Sequence, residues 1–354
     1  MENTSSRTNK KNRRKTKKLK WFLWTICLLF IAVVGYYGYT IANFANGIQN
    51  DSNQSRFPGT NRPEQVSAPP KWEGKERVNI LLLGGDERGL SENATPRSDT
   101  MMVASIDPVT KKAHLLSILR DTYAEIPGHG SSRVNAAFVY GGPQLAMETV
   151  SNLLGIPIQY YVYVDFQGFI KLIDAIGGVE IDVEKDMYYT SRADGPEFDI
   201  NLKAGLQQLD GKKALQYARF RYDAEGDYGR TERQRKLMKA VAGKLKSTTS
   251  ILKLPKILNE IEPYIETNMD LSDMWKLGNL GFEIRNETIE SVQIPPRELL
   301  VETTINGASV ITADKWSLQN YIQELFAEDT GEEATDGEDG ASETDNHTAS
   351  SAHR

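Results

Sequence analysis

Nineteen consecutive residues, Trp21 to Tyr39 (WFLWTICLLFIAVVGYYGY), carry no charge. At about 1.5 Å of rise per residue, a helix of that length just spans a hydrocarbon core of roughly 30 Å. Trp21, Trp24, Tyr36, Tyr37 and Tyr39 fall near its two ends, where aromatic belts sit. All nine early bases, from Arg7 to Lys20, precede the run, whereas Asn43 to Pro70 holds only Arg56 and Arg62. The positive-inside rule therefore puts residues 1–20 in the cytosol as a basic segment, 21–40 across the membrane and everything later outside the cell. A cleavable signal peptide is the competing reading; its apolar stretch runs to about 7–15 residues, shorter than this one, and no clean small-x-small site follows. The basic stretch reads as a topology signal, and no nucleic-acid partner is expected.

Charge is segregated at the other end too. Residues 328–354 hold nine acids against one base, Arg354, within a chain of 354 residues and net charge -6. That stretch has no apolar periodicity and reads as a disordered acidic tail whose removal leaves the fold intact. Residues 41–75, rich in Asn, Gln, Ser and Pro, read as a flexible extracellular stalk. One folded domain, 76–327, remains. With one cysteine, Cys27, a disulfide framework, a cysteine zinc site and a CxxC redox motif are excluded. Two of the four histidines lie in the tail, which leaves His114 and His129 as thin material for a triad or a histidine metal site.

Within the domain, short apolar runs bounded by Gly, Asp or Pro predict strands at Val78–Leu83, Met101–Ile106, Ala113–Leu119, Tyr160–Val164 and Val179–Val183. Helices are predicted at Pro143–Leu154, Phe166–Ile176 (N-capped by Asp165 and stopped by Gly177-Gly178), Gly211–Ala218, Gly229–Lys246 and Ala313–Ala327. Strands interleaved with helices predict a layered α-β-α domain around a central, largely buried sheet, preceded by one transmembrane helix.

Polar chemistry collects at the strand ends. Val78–Leu83 runs into Gly84-Gly85-Asp86-Glu87-Arg88, Arg97-Ser98-Asp99 precedes the next strand, and a third run ends in Arg120-Asp121. Two carboxylates from different strand edges suit a hard cation such as Mg²⁺, which completes its shell with water and phosphate; each Asp also has an arginine nearby to pair with. On a helix over Gly229–Lys246, Leu237, Val241 and Leu245 define an apolar stripe with Arg230, Arg233 and Gln234 near its centre, while Arg235 points away. Arg219-Phe220-Arg221 sends both guanidiniums to one side if extended and to nearly opposite sides if helical. Arg97, Arg120, Arg219, Arg221 and Arg230 converging beside carboxylates suit a polyanion, most simply a pyrophosphate. An internal Arg–Asp network through Asp121, Asp223 and Asp227 accounts for the same pattern. No phosphate-loop, dinucleotide or nucleophile-elbow motif is present.

The ordered blocks LLLGGDERG (81–89), RSDTMMVASIDP (97–108), LLSILRDTYAEIPG (115–128), VNAAFVYGG (134–142), YYVYVDFQGFIKLIDAIGGVEIDV (160–183), LDGKKALQYARFR (209–221) and DYGRTERQRK (227–236) resemble the LytR-CpsA-Psr family. The resemblance covers roughly Val78 to Lys246, and the anchor layout matches as well. It implies a membrane-bound extracellular phosphotransferase that moves an anionic glycopolymer, of teichoic acid or capsule type, from undecaprenyl pyrophosphate to peptidoglycan. It further implies Asp86 and Asp99 as Mg²⁺ ligands, and Arg88, Arg97, Arg120, Arg133, Arg219, Arg221, Arg230 and Gln234 around the pyrophosphate. Asp99, Arg120 and Asp121 are the catalytic candidates, with Asp99 or Asp121 the choice for base. Arg133 stands where the family commonly has Lys, and Leu119 where it has Pro before the Arg-Asp pair. Phe166, Phe169, Ile170 and Ile173 share a helix face suited either to a polyprenyl slot or to plain core. Lipid pyrophosphate hydrolysis and a non-enzymatic regulatory role, as a membrane-bound transcription attenuator, are the alternatives.

Overall fold

The computed structural model describes residues 5–49, 57, 69–86, 97–190, 195–196 and 199–330. A single helix, α1 (Ser5–Ile48), contains the uncharged run. A hairpin of β1 (Val78–Asp86) and β2 (Arg97–Ile106) follows, then β3 (Ala113–Ile118), the short pair β4 (Tyr123–Ile126) and β5 (Gly130–Arg133), and α2 (Ala136–Leu154). The chain continues through β6 (Tyr160–Asp165), α3 (Phe166–Ala175), β7 (Val179–Val183), β8 (Met187–Tyr189), β9 (Ile200–Leu202) and β10 (Gly205–Leu209). Helices α4 (Gly211–Arg219), α5 (Gly226–Leu245), α6 (Thr248–Leu252) and α7 (Leu254–Ile261) lead to β11 (Ile265–Thr267) and α8 (Leu271–Glu283). Strands β12 (Ile289–Ile294), β13 (Val301–Ile305) and β14 (Ala308–Thr312) precede the last helix, α9 (Lys315–Thr330).

Six strands form the central sheet in the order β11-β6-β1-β2-β3-β12, with β1–β6 and β3–β12 parallel and the other neighbours antiparallel. Successive residues of a strand point to opposite faces. Leu81, Leu83, Met101, Val103, Tyr161 and Tyr163 accordingly pack on one face with residues of α2 and α9, including Val150, Leu318 and Ile322. Val78, Ile80, Ala113, Leu115 and Tyr160 pack on the other, against residues of α5 and α8 such as Met238 and Leu280. Both faces being covered explains why these strands read as continuous apolar runs, and the layered α-β-α expectation holds.

Each predicted strand and helix is present with small shifts of its ends. Asp165 caps α3 as expected, its Oδ1 accepting from the Gly168 amide at 2.7 Å, and the chain leaves through Gly177 and Gly178 at φ 85° and 79°. Helix α2 begins seven residues before Pro143, but Gly141 and Gly142 break it with non-helical angles, so Pro143 opens its second part.

Two expectations are corrected. The stalk does not begin at residue 41, because α1 stays helical to Ile48 and packs on α7, α8 and β11. Ala45 and Ile48 are buried, and Gln49 bridges to Thr267. Phe57 lies edge-on to Phe138 and Tyr163 with centroids 4.9 and 4.8 Å away, and the buried Trp72 donates its indole N–H to the Glu76 carbonyl at 2.8 Å. These apolar side chains are what a composition-based reading of a polar stretch averages away. The acidic tail likewise begins later than residue 328. Asp329, on α9, is buried, 2.5 Å from Arg77 and 2.8 Å from His114 Nε2. Residues 331–354 lie outside the described residues.

Candidate functional site

A cavity of about 430 Å³ lies between the sheet and helices α3, α4 and α5. Its floor comes from the ends of β1, β2 and β6: Leu82, Gly84, Thr100, Met102, Val162 and Val164. One part of the wall is aliphatic and aromatic, with Phe166, Phe169, Leu215, Val241, Leu245 and Ile265. Arg120, Arg219, Arg221, Arg230 and Gln234 also line it.

Local backbone geometry explains how these side chains meet. Arg219 ends α4, Phe220 is extended (φ -61°, ψ 129°) and buried in the core, and Arg221 follows, so both guanidiniums reach the cavity while the ring between them does not. Arg219 stacks over the Phe166 ring at 5.7 Å. Arg120 follows β3, and its Nε lies 3.2 Å from the Asp227 carboxylate, which also holds Arg230 at 3.2 Å through the same oxygen. Gln234 donates to the Ala218 carbonyl at 3.3 Å and ties α5 to the last turn of α4. Asp165 completes the lining. Four guanidiniums thus meet three carboxylates: Asp165, Asp227 and, 3.7 Å from Arg120, Asp121, which also holds Arg133.

Arg233 was expected beside Arg230 on the same stripe, and it is buried, but in an internal network. It donates to Glu184 and Asp223 at 3.0 Å each and to the Phe220 carbonyl at 2.7 Å. Burial pushes both acids up; hydrogen bonds and the Arg233 charge outweigh it, together with the Glu184 backbone amide and Tyr217 for Glu184 and Lys185 for Asp223, and hold both below the usual carboxylate range. The internal Arg–Asp network and the convergent arginine set therefore both exist, on neighbouring turns of α5. Arg235, expected to point to solvent, is half-buried instead, in a second cleft with Tyr228, Gln293, Arg297 and Tyr321, and burial lowers its pKa.

Other expected residues are placed as follows. Asp121 and Arg133 bind each other at 3.1 Å, with Asp121 3.7 Å from Arg120, and neither lines the cavity. On α3, Phe166 and Phe169 line the cavity with Leu172, whereas Ile173 is core and Ile170 faces neither. Residue Arg88 and the side chains of Asp86, Arg97 and Asp99 lie outside the described residues. Their backbones are informative: Asp86 pairs with Arg97, and the register shifts between Gly84 and Gly85, so that Asp99 is the extra residue beside cavity-lining Thr100. Gly85 is required there, because a Cβ would overlap the Tyr163 hydroxyl. Asp165 and the stacked rings of Tyr189 and Tyr222, 3.6 Å apart, were not named as site residues from sequence, and Asp227 was named only in the Arg–Asp network. Asp165 already served as a cap, and an aromatic pair drawn from β8 and from the connection between α4 and α5 leaves no spacing signal. Among the described residues, no three His, Cys, Asp or Glu side chains are grouped to hold a metal ion.

A helix of membrane-spanning length joined to a layered α/β domain, with a cavity both greasy and arginine-lined, defines a class of protein suited to amphiphilic polyanions. The LytR_cpsA_psr family model matches residues 38–327. The chain belongs to the LytR-CpsA-Psr family. It is 36% identical over 269 residues, 75% of this chain and 78% of the relative, to "Regulatory protein MsrR" of Staphylococcus aureus strain COL. It is also 36% identical over 253 residues, 71% and 79% of the two chains, to "Polyisoprenyl-teichoic acid--peptidoglycan teichoic acid transferase TagU" of Enterococcus faecalis. Among solved structures it resembles TagT bound to LI-WTA, with a TM-score of 0.57, 28% identity and coverage of 76% of this chain and 98% of that one.

Proposed function

We propose that the protein is a membrane-anchored extracellular phosphotransferase that moves an anionic glycopolymer of teichoic acid or capsule type from undecaprenyl pyrophosphate to peptidoglycan. One observation carries the reading: a single cavity combines four arginines with a long apolar wall, complementary to a diphosphate joined to a polyprenyl tail. The TagU relative, a teichoic acid transferase, supports the reaction class.

In this reading Arg120 and Arg230, braced by their shared Asp227, bind diphosphate oxygens. Arg219 and Arg221 close the other side of the group. Phosphoryl transfer is mainly positioning and charge stabilisation, so arginines fixed before the substrate arrives lower the barrier without reorganising. Two carboxylates at the end of one hairpin, Asp86 and Asp99, are hard oxygen donors of the kind Mg²⁺ takes. They would hold that ion, which when bound neutralises developing charge on the diphosphate. Asp99 or Asp121 would accept the acceptor hydroxyl's proton.

The test is a reconstitution of the purified protein with a lipid-pyrophosphate glycan donor and a peptidoglycan acceptor, with and without Mg²⁺. Glycan attached to peptidoglycan in an Mg²⁺-dependent manner is the expected result. Free glycan phosphate released equally without acceptor would make the protein a hydrolase, and no turnover of donor under either condition would remove the enzymatic reading.

A further inference from the structure

The helix that contains the uncharged run does not end in a tether. Side chains of α1 become covered from Tyr37 onward, within the last turn of that run, and Thr40 and Ala45 are buried against the domain. The Tyr37 hydroxyl donates to the Leu252 carbonyl, at the end of α6, at 2.9 Å. Helix α6 therefore stands at the level where the uncharged run ends. Its own surface is unusual for that position in water: Leu252 is 70% exposed and Ile251 40% exposed. Exposed Lys253 and Lys256 follow directly. Helix α8, which also packs on α1, exposes Trp275 by 62%. Exposed aliphatic side chains and lysines on α6, with an exposed indole on a second helix that packs on α1, are the residue types that favour a lipid headgroup boundary.

The cavity gives this surface a direction. Helix α5 runs from Arg230, among the guanidiniums, to Leu245 in the apolar wall, and α6 begins three residues later at Thr248. Fifteen residues of helix separate the two by about 22 Å. The apolar part near Leu245 thus adjoins α6, and the arginines lie well away from it.

We propose that the domain is seated directly on an anionic lipid surface through α6 and Trp275, holding the apolar part of the cavity on the bilayer side and the arginines away from it. The occupant of this face is lipid, because the face is continuous with the membrane-length helix and carries lysines beside its apolar side chains. The inference rests on α1 crossing the membrane. A lipid whose diphosphate reaches the arginines would then keep its tail along α5, in the apolar part of the cavity, on the bilayer side.

Depth-dependent quenching separates the two ideas. In the full chain carrying Cys27→Ser, single cysteines replace Leu28 in the apolar run, Leu252 on α6, or Tyr188, an exposed residue next to cavity-lining Tyr189. Each is labelled with bimane and reconstituted in phosphatidylglycerol-containing liposomes with brominated acyl chains. The expected result is strong quenching at 28, clear quenching at 252, several-fold above 188, and almost none at 188. Position 252 as unquenched as 188, with 28 strongly quenched, overturns the seating while leaving the membrane span intact. If 28 is also unquenched, the span itself fails and the seating with it. Undiminished quenching at 252 in purely zwitterionic liposomes would overturn the role given to the lysines.

Discussion

Arg230 and Arg233 sit three positions apart on α5 and serve opposite purposes. Arg230 lines the cavity, held by Asp227, whereas Arg233 is buried between Glu184 and Asp223. Removing Arg233 strands two acids whose low pKa depends on it. Breaking a buried pair in this way typically costs about 3–5 kcal/mol, so Arg233→Ala should melt early whether or not donor is present. Arg230→Ala should instead keep most of the fold, weaken binding of a polyprenyl pyrophosphate and cut transfer by on the order of 10²-fold, as loss of one major electrostatic contact does. Thermal melts and transfer rates of the two variants, side by side, check the contrast, and equal loss of stability in both would refute the division of labour. Asp99→Asn belongs with Arg230→Ala: if Asp99 holds Mg²⁺, transfer should fall by about 10²-fold with the melting temperature unchanged, and raised Mg²⁺ should recover part of the rate. From sequence, helical periodicity placed both arginines on the buried stripe. It had no means of separating them, because each has an acid close in sequence, Asp227 or Asp223, and what tells them apart lies far off: Glu184, 49 residues from Arg233, and Arg120, which shares Asp227 and the cavity with Arg230 from 110 residues away.

Helices and strands with strong local signals were legible, and those defined by distant partners were not. Asp165, Pro143 and Gly177-Gly178 mark their boundaries chemically, four strands of the central sheet, β1, β2, β3 and β6, announce themselves as apolar runs covered on both faces, and β7 by its alternation. Strand β11, three residues long, exists because it pairs with β6, and β12 because it pairs with β3. Helix α9 shows the same limit: its apolar residues predicted a helix ending near Ala327, but Asp329 extends it by pairing with Arg77 and His114. Burial pushes the Asp329 carboxyl up, and Arg77 and His114 outweigh it and hold it below its usual range. A group whose folded pKa is depressed stabilises above its unfolded value, about 3.9 for Asp, and loses that contribution as pH falls through the folded value. Asp329→Ala should therefore lower the melting temperature at pH 7, by about 3 kcal/mol of stability, which is roughly 6–12 °C for a domain of this size. The gap to the parent protein should narrow steadily below about pH 4. A chain ending at Thr330 should melt like the parent, and one ending at Ala327 like Asp329→Ala. A gap that stays constant down to pH 2 would show that the side chain's packing, not its charge, is what matters.

At the scale of the whole molecule, the boundary between anchor and domain is where composition and structure part. A polar, Pro-containing stretch suggests that the domain begins near residue 76, and a fragment starting at Glu76 would look complete. It would lack Phe44 and Ile48, which pack into the cluster beneath α3 and α7, Phe57, which meets two aromatic rings, and Trp72, which fills the cluster with Val78 and Tyr160. Fully burying one such side chain is worth about 1.5–3 kcal/mol, and the extended-chain reference makes that an upper estimate. Four of them together should supply on the order of 5 kcal/mol, a large share of the about 5–15 kcal/mol that holds a typical domain folded. The fragment 76–330 should therefore melt at least about 10 °C below the fragment 41–330, or fail to fold, and calorimetry of the pair decides it. Matching melting temperatures would mean that α1, Phe57 and Trp72 dock onto an already complete domain. If the longer fragment is the stable one, the end of α1 belongs to the fold, and with α1 crossing a membrane, as proposed, the cavity's position relative to the bilayer is set by side-chain packing from Tyr37 to Ile48 rather than by the reach of a linker.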